Sequence, residues 1–265
     1  SFAKEFLLHT VKRSRIIPIL NLHNGELHKT QKFKDPIYLG DPHIAVRILN
    51  DLEVDELIVI DYSNKEPDIP LLKDLASEAF MPMVYGGGIR NVDQFEMIIR
   101  SGFEKISLNT MPLENPDLVR HLVEVYGSST LVASVDLKKG ILGDYSLVNR
   151  NVDKKWLKKD FLDYFHFLED LGFGEILVNI IDRESVMKGG DLELADLVSS
   201  SLKVPVLYQG GVGSLNDIID IFKSSDVSGV VCGSFFVLNG KLRTPLISYI
   251  EEEDFKEIET SLNNN

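Results

Sequence analysis

The stretch VYGGGIRNVDQFEMII, residues 84–99, decides the reading of the fold, because LYQGGVGSLNDIIDIF at 207–222 repeats its design. Each opens with the apolar residues of a short buried strand and turns on paired glycines. Each then runs into a segment whose apolar residues recur three and four apart, the helical spacing. Asn91 and Ser214 stand where a helix N-cap belongs, and Gly102 follows the first helical segment. A second pair of matching stretches, VDELIVID (54–61) and FGEILVNI (173–180), precedes the first at a similar offset, close to half the chain.

Working outward, eight β-rich apolar segments can be marked, at 15–21, 56–61, 82–86, 105–109, 130–136, 175–181, 204–209 and 228–233. Helical periods lie between most of them, including 91–102, 214–225 and 156–172, the last with an aromatic stripe that reads as core packing. Near-continuous apolar runs are expected of parallel strands covered on both faces. No Pro/Gly/Ser-rich linker divides the chain, so residues 1–265 read as one domain, with a core of about 15–249 and a polar tail, SLNNN, expected to fray. The fold class is α/β, a (β/α)8 TIM barrel built from two similar half-barrels. A doubly wound open sheet fits less well, since no G-x-G-x-x-G turn follows the first strand.

Composition narrows the partners. The 265 residues carry a net charge of −13, which argues against nucleic acid or an anionic membrane surface. An anionic substrate would need local groups to hold it against that field, while EEED at 251–254 reads as solvated surface. No apolar run is long enough to span a bilayer and no basic-then-apolar leader opens the chain. The single cysteine, Cys232, excludes an internal disulfide, reads as a small core residue, and fits a cytoplasmic setting. No His/Cys/Asp/Glu cluster has ligand spacing, so neither a metal nor another cofactor is expected.

In such barrels the chemistry lies at the carboxyl ends of the strands. Gly87, Gly88, Asn109 and Thr110 stand there in one half, and Gly210, Gly211, Gly233 and Ser234 in the other. Glycine lets a backbone approach an anion closely, and a helix start offers unpaired N–H groups. Two phosphate sites on opposite sides of the mouth follow, unless these are merely tight strand-to-helix turns. RIIPILNLHNG (15–25) ends its strand in Asn21, and LVASVD (131–136) in Asp136. Opposed carboxylates at such positions can serve as general acid and base, but an amide exchanges no proton at neutral pH. Lys29, in what reads as a long polar loop after Asn24-Gly25, could reach over the mouth. His23 and His28 share that loop and could supply a base, although a surface role suits each as well. At the other end, Arg15, Glu56, Lys105 and Glu175 enter at strand amino ends around the axis. Such alternating charges can plug the floor or gate it for a small neutral molecule.

At this point the chain resembles a known family, the cyclase subunit of imidazole glycerol phosphate synthase. The motifs that carry the likeness are RIIPIL, VDELIVID, YGGGIRN, KISLNT, GEILVNIIDR and YQGGVG, spread from Arg15 to Tyr249. The resemblance implies a lyase-type synthase whose barrel receives ammonia from a glutaminase docked beneath its floor. The ammonia would meet a bisphosphorylated ribulosyl aminoimidazole nucleotide at the mouth. It implies phosphate contacts at the two glycine-containing sets, a role for Lys29, a gate of Arg15, Glu56, Lys105 and Glu175, and a partner contact at Glu104. The family has an aspartate where this chain has Asn21, and an Asp-Arg-Asp-Gly-Thr run where this chain has Asp182, Arg183, Glu184, Ser185 and Val186. FKDPIYLGDPHIAVRILNDLEVDEL (33–57) is similar to a divergent paralogue branch associated with a sugar amidotransferase in surface-glycan synthesis. Three readings follow: an ammonia-conducting subunit with little cyclase turnover, a working cyclase of histidine biosynthesis, and a scaffold that only activates a glutaminase.

Overall fold

The structure, a computed structural model, describes residues 14–31, 34–63, 65–149, 160–240 and 242–263. Its main sheet contains β1 (Arg15–His23), β2 (Glu26–Gln31), β3 (Lys34–Gly40), β4 (Leu57–Asp61), β5 (Met83–Gly86), β6 (Lys105–Leu108), β7 (Leu131–Lys139), β8 (Tyr145–Leu147), β9 (Glu175–Ile180), β10 (Val206–Gln209) and β11 (Gly229–Cys232). The eight expected segments are β1, β4, β5, β6, β7, β9, β10 and β11. They pair in parallel in that order, and β11 returns to β1 through Arg15↔Gly229 to Pro18↔Cys232. The sheet therefore closes into a (β/α)8 barrel.

Alternation along each strand separates two cores. Ile17, Ile19, Ile58, Val84, Val132, Leu177, Leu207 and Val231 face inward and fill the lumen, with Ile60 packed beside them. Their neighbours, such as Ile16, Val59, Tyr85, Ala133, Val178 and Tyr208, face outward into the layer shared with the helices. Cys232 is buried in that outer layer, and burial pushes its thiol well above the ordinary range.

The half-barrel repeat survives in detail. Gly87 and Gly88 adopt φ of 125° and 66°, and Gly210 and Gly211 adopt 135° and 85°, the same left-handed sequence. A Cβ on Gly87 would lie 2.1 Å from the Asp61 carbonyl oxygen, and one on Gly211 would lie 2.0 Å from that of Gly189. Close backbone approach thus demands both glycines, whatever they bind. The helices that follow, Val92–Arg100 and Leu215–Ser224, begin at the expected caps. Asn91 accepts from the Gln94 N–H at 2.9 Å. Ser214 accepts from the Asp217 N–H at 3.3 Å while the Asp217 carboxylate accepts from the Ser214 N–H at 2.9 Å, a reciprocal capping box.

Two expectations change. The segment after β1 is not an open loop: Asn24 and Gly25, at φ of 52° and 84°, fold β2 back onto β1, and β3 pairs with β2. A two-residue Asn-Gly turn matches the twist of antiparallel strands, and this overrides the polar composition. The tail is helical through Asn263, in Glu252–Asn263, because acidic residues in its first turn suit the helix dipole and Ile258 is buried beneath it. The aromatic helix is described over Phe161–Leu171, with Tyr164 and Phe165 in the outer core as expected, while residues 156–159 lie outside the described residues.

The cap geometry gives a stability expectation. Ser214→Ala should cost about 1 kcal/mol, read as a lower urea midpoint with an unchanged slope, because both reciprocal bonds of the box depend on that residue's geometry.

Candidate functional site

At the amino ends of the strands, four ionic side chains turn inward and meet. Arg15 Nη1 lies 2.5 Å from Glu56 Oε2, and Arg15 Nη2 bonds Glu175 Oε1. Lys105 Nζ lies 2.8 Å from Glu56 Oε1 and 3.1 Å from Glu175 Oε2. Each carboxylate therefore takes one bond from each cation, and the ring closes. Glu56 is 2% exposed and Glu175 6%, so both carboxylates are buried against the two cations they pair with. Burial alone would lower the Arg15 pKa, but Glu175 and Glu56 together outweigh it and hold the guanidinium above its ordinary value. Glu104 is exposed on this face, and one of its carboxylate oxygens accepts from the Met83 N–H at 2.7 Å.

Above the ring the lumen is largely aliphatic, with Ser134 on the inward row of β7 and Ser107 inward by the Lys105–Ser107–Asn109 alternation. The Ser107 hydroxyl is buried with no hydrogen-bond partner among the described residues. The mouth then turns polar. Asp136 ends the inward row of β7, and its carboxylate is clamped by two amides, with Asn179 Nδ2 donating at 2.7 Å and Asn109 Nδ2 at 3.1 Å. Burial raises its pKa; the Asn179 and Asn109 bonds oppose that rise, and the nearby Glu184 charge adds to it. Strand order puts β1 diametrically opposite β7, so Asn21 and Asp136 occupy facing rims, with Asn21 making no hydrogen bond to Asp136.

Lys29 is not on a solvated loop. It stands on β2, is 4% exposed, and its ammonium lies 2.9 Å from Glu184 Oε1. Gly210, Gly211, Gly233 and Ser234 line one cleft at the mouth together with Lys29, Asn179, Glu184, Ser185 and Gln209. A second cleft gathers Asn109, Ser134, Asp136, Asn149 and Tyr164. Asn149 Nδ2 there reaches Asn109 Oδ1 at 2.5 Å and Thr110 Oγ1 at 3.3 Å. Gly87 and Gly88 line neither of these two clefts. His23 and His28 are half-buried, not surface residues. His23 stacks on Tyr62 with ring centroids 4.8 Å apart, and His28 lies 5.9 Å from His23.

Asn179 and Asn149 were missed as site residues. Asn179 matches Ile60 in the internal repeat, so an amide at a lumen-facing position was a readable signal. Asn149 follows the β7–β8 hairpin and carries no motif.

The geometry now meets its relatives. A family model described as "Histidine biosynthesis protein" matches residues 15–243. The chain belongs to this family, among its HisF-type subunits. A Pseudomonas aeruginosa protein provisionally named imidazole glycerol phosphate synthase subunit hisF2 is 44% identical over 241 residues, covering 89% of this chain and 96% of its own. A Vibrio vulnificus protein provisionally named subunit hisF3 is 38% identical over 247 residues, covering 91% and 95%. The imidazole glycerol phosphate synthase subunit HisF of Alkaliphilus metalliredigens is 32% identical over 229 residues, covering 85% and 90%. Among the described residues, no helix is long and apolar enough to cross a membrane.

A linkage test follows from Asp136. Its folded-state pKa is raised, so the folded chain holds this proton more tightly than the unfolded chain. That stabilisation is fully present below the unfolded carboxylate value and is lost as pH rises through the folded one. The melting temperature of Asp136→Asn relative to wild type should therefore climb between pH 4 and pH 7. A difference that stays flat across this range would show no such titration.

Proposed function

We propose that this chain is the barrel subunit of a glutamine-dependent amidotransferase of the imidazole glycerol phosphate synthase type, carrying ammonia from floor to mouth. The observation that carries this reading is the closed ring of Arg15, Glu56, Lys105 and Glu175 beneath an aliphatic lumen that ends at Asp136. Ammonia is small and neutral and can cross aliphatic surroundings, whereas ammonium would be stripped of hydration there at a cost of several kcal/mol or more. A salt-bridge ring admits such a molecule by the swing of one flexible side chain, and Lys105 is the member with the longest free stem. A glutaminase docks on the ring's outer face, with Glu104 at its edge. A phosphorylated ligand occupies the mouth between the two glycine sets.

At the mouth, Asp136 is the group able to exchange a proton, while Asn21 can only orient a ligand by hydrogen bonds. Losing one of an acid–base pair costs on the order of 10²- to 10⁴-fold in rate, so cyclase turnover by this chain is low. The ammonia is then passed on, and a separate sugar amidotransferase is the acceptor that best suits this loss. The likeness of residues 33–57 to that paralogue branch supports the assignment. A working cyclase of histidine biosynthesis is the second reading, favoured by retention of Asp136. Growth of a cyclase-deficient histidine auxotroph on this chain plus its glutaminase would establish that second reading in place of the first.

Lys105→Met tests conduction. Glutamine-dependent transfer through the complex should fall at least about tenfold, while glutaminase binding and the reaction supplied with external ammonium persist. Transfer undiminished in both Lys105→Met and Lys105→Glu, with the complex intact, would rule conduction through the ring out.

A further inference from the structure

We propose that Glu184 sets the phosphate affinity of the cleft beside β9, β10 and β11 by occupying Lys29 itself, so that a phosphorylated ligand binds there only by exchanging with the chain's own carboxylate. This rests on the phosphate reading of the mouth given above and specifies how that site selects its ligand.

Among the side chains lining the cleft, the cationic donor is the Lys29 ammonium, and the Ser234 hydroxyl stands beside it at the glycine turn. Lys29 belongs to the same small space as the glycine turn, since a Cβ added to Gly233 would sit 3.1 Å from Lys29 Nζ. Both donors are engaged by adjacent residues of one loop. Lys29 Nζ lies 2.9 Å from Glu184 Oε1, with each side chain 5% exposed. Ser234 Oγ donates to Ser185 Oγ at 2.8 Å, and Ser185 Oγ in turn donates to the Thr30 carbonyl at 2.8 Å. The Ser185 carbonyl accepts from Arg243 Nη2 at 2.7 Å, which fixes the loop from a third side.

This arrangement resists relaxation, which makes it a built feature and not a passing contact. Ser185 is held at φ of 57°, a left-handed conformation that serine adopts reluctantly and glycine adopts freely. Its hydroxyl, which glycine would lack, supplies the bonds to Thr30 and Ser234. The same contacts pin β2 to the loop after β9 at two successive residues, Lys29 and Thr30. Electrostatically, the Lys29–Glu184 pair is neutral, and the rest of the mouth offers the Asp136 carboxyl. A dianion entering a chain of net charge −13 therefore meets no uncompensated cation in this cleft until Glu184 is displaced. A neutral ligand needs no such exchange.

Inorganic phosphate titrated into the isotopically labelled full chain, followed by NMR at the Gly210, Gly211 and Gly233 amides, tests this. Wild type should bind phosphate weakly, and Glu184→Gln should bind it about tenfold more tightly or better, because a charge-assisted contact to Lys29 becomes available. Adding Lys29→Met to Glu184→Gln should cancel that gain. Should Glu184→Gln prove unstable with its lysine left unpaired, Ser185→Gly serves instead, since its backbone suits the turn and it frees Ser234. It too should tighten phosphate, because losing the Thr30 and Ser234 bonds loosens the loop that holds Glu184 against Lys29. Phosphate binding at these amides that is equal in wild type, Glu184→Gln and Ser185→Gly would overturn the proposal and leave the phosphate reading standing. No phosphate binding in any of them would overturn both.

Discussion

The floor ring is the constraint on which the rest of the molecule depends. Two carboxylates at the amino ends of β4 and β9 are almost wholly removed from water, and each is paired with the same two cations. Arg15, Glu56, Lys105 and Glu175 come from four separate strands, so their mutual bonds require that β1, β4, β6 and β9 hold a common register around one axis. Removing either cation would leave two buried carboxylates to share one positive charge, and breaking a buried pair typically costs about 3–5 kcal/mol. A hydrophobic plug of similar volume could close the floor at no such risk. Under the proposed role, the ionic version suits a floor that is closed yet able to part.

Between floor and mouth, environment divides the labour. The lumen is largely aliphatic, which disfavours ions, while the rim is lined with amides: Asn21, Asn109, Asn179 and Gln209 stand there beside the Asp136 carboxyl and the Lys29-paired Glu184. Amides orient a ligand without exchanging its protons. The mouth is thus richer in positioning groups than in acid–base groups. Family membership and local chemistry are therefore separate matters: the barrel belongs to the family, while the chemistry of the rim is set by this chain's own residues.

Much of this was legible in the chain. The paired glycines at 87–88 and 210–211 announced both the strand-to-helix turns and the twofold repeat, because a left-handed backbone with no room for a Cβ leaves few other choices. The ring was legible because charged residues at the start of apolar strands can only turn inward together. What could not be read was set by contacts distant in sequence. Lys29 looked solvated because its partner, Glu184, is 155 residues away. The clamp on Asp136 depends on Asn109 and Asn179, drawn from the strands on either side of β7, and polarity alone does not say which amide meets which oxygen. The hairpin after β1 was hidden by its polar composition, although Asn24-Gly25 marked its turn.

The end of the chain has a consequence for the order of assembly. Tyr249 lies beyond the last barrel strand, packs on Phe236, and donates its hydroxyl to the Ile16 carbonyl at 2.7 Å across 233 residues of sequence. That carbonyl belongs to the residue after Arg15, at the seam where β11 meets β1. During synthesis β1 must wait for β11 and Tyr249 to be made before its outer edge is paired and this tether forms. Contacts of such long sequence separation form late and slowly. Any shortened chain lacking Tyr249 would leave the seam without its outer fastening, beside the arginine that completes the floor.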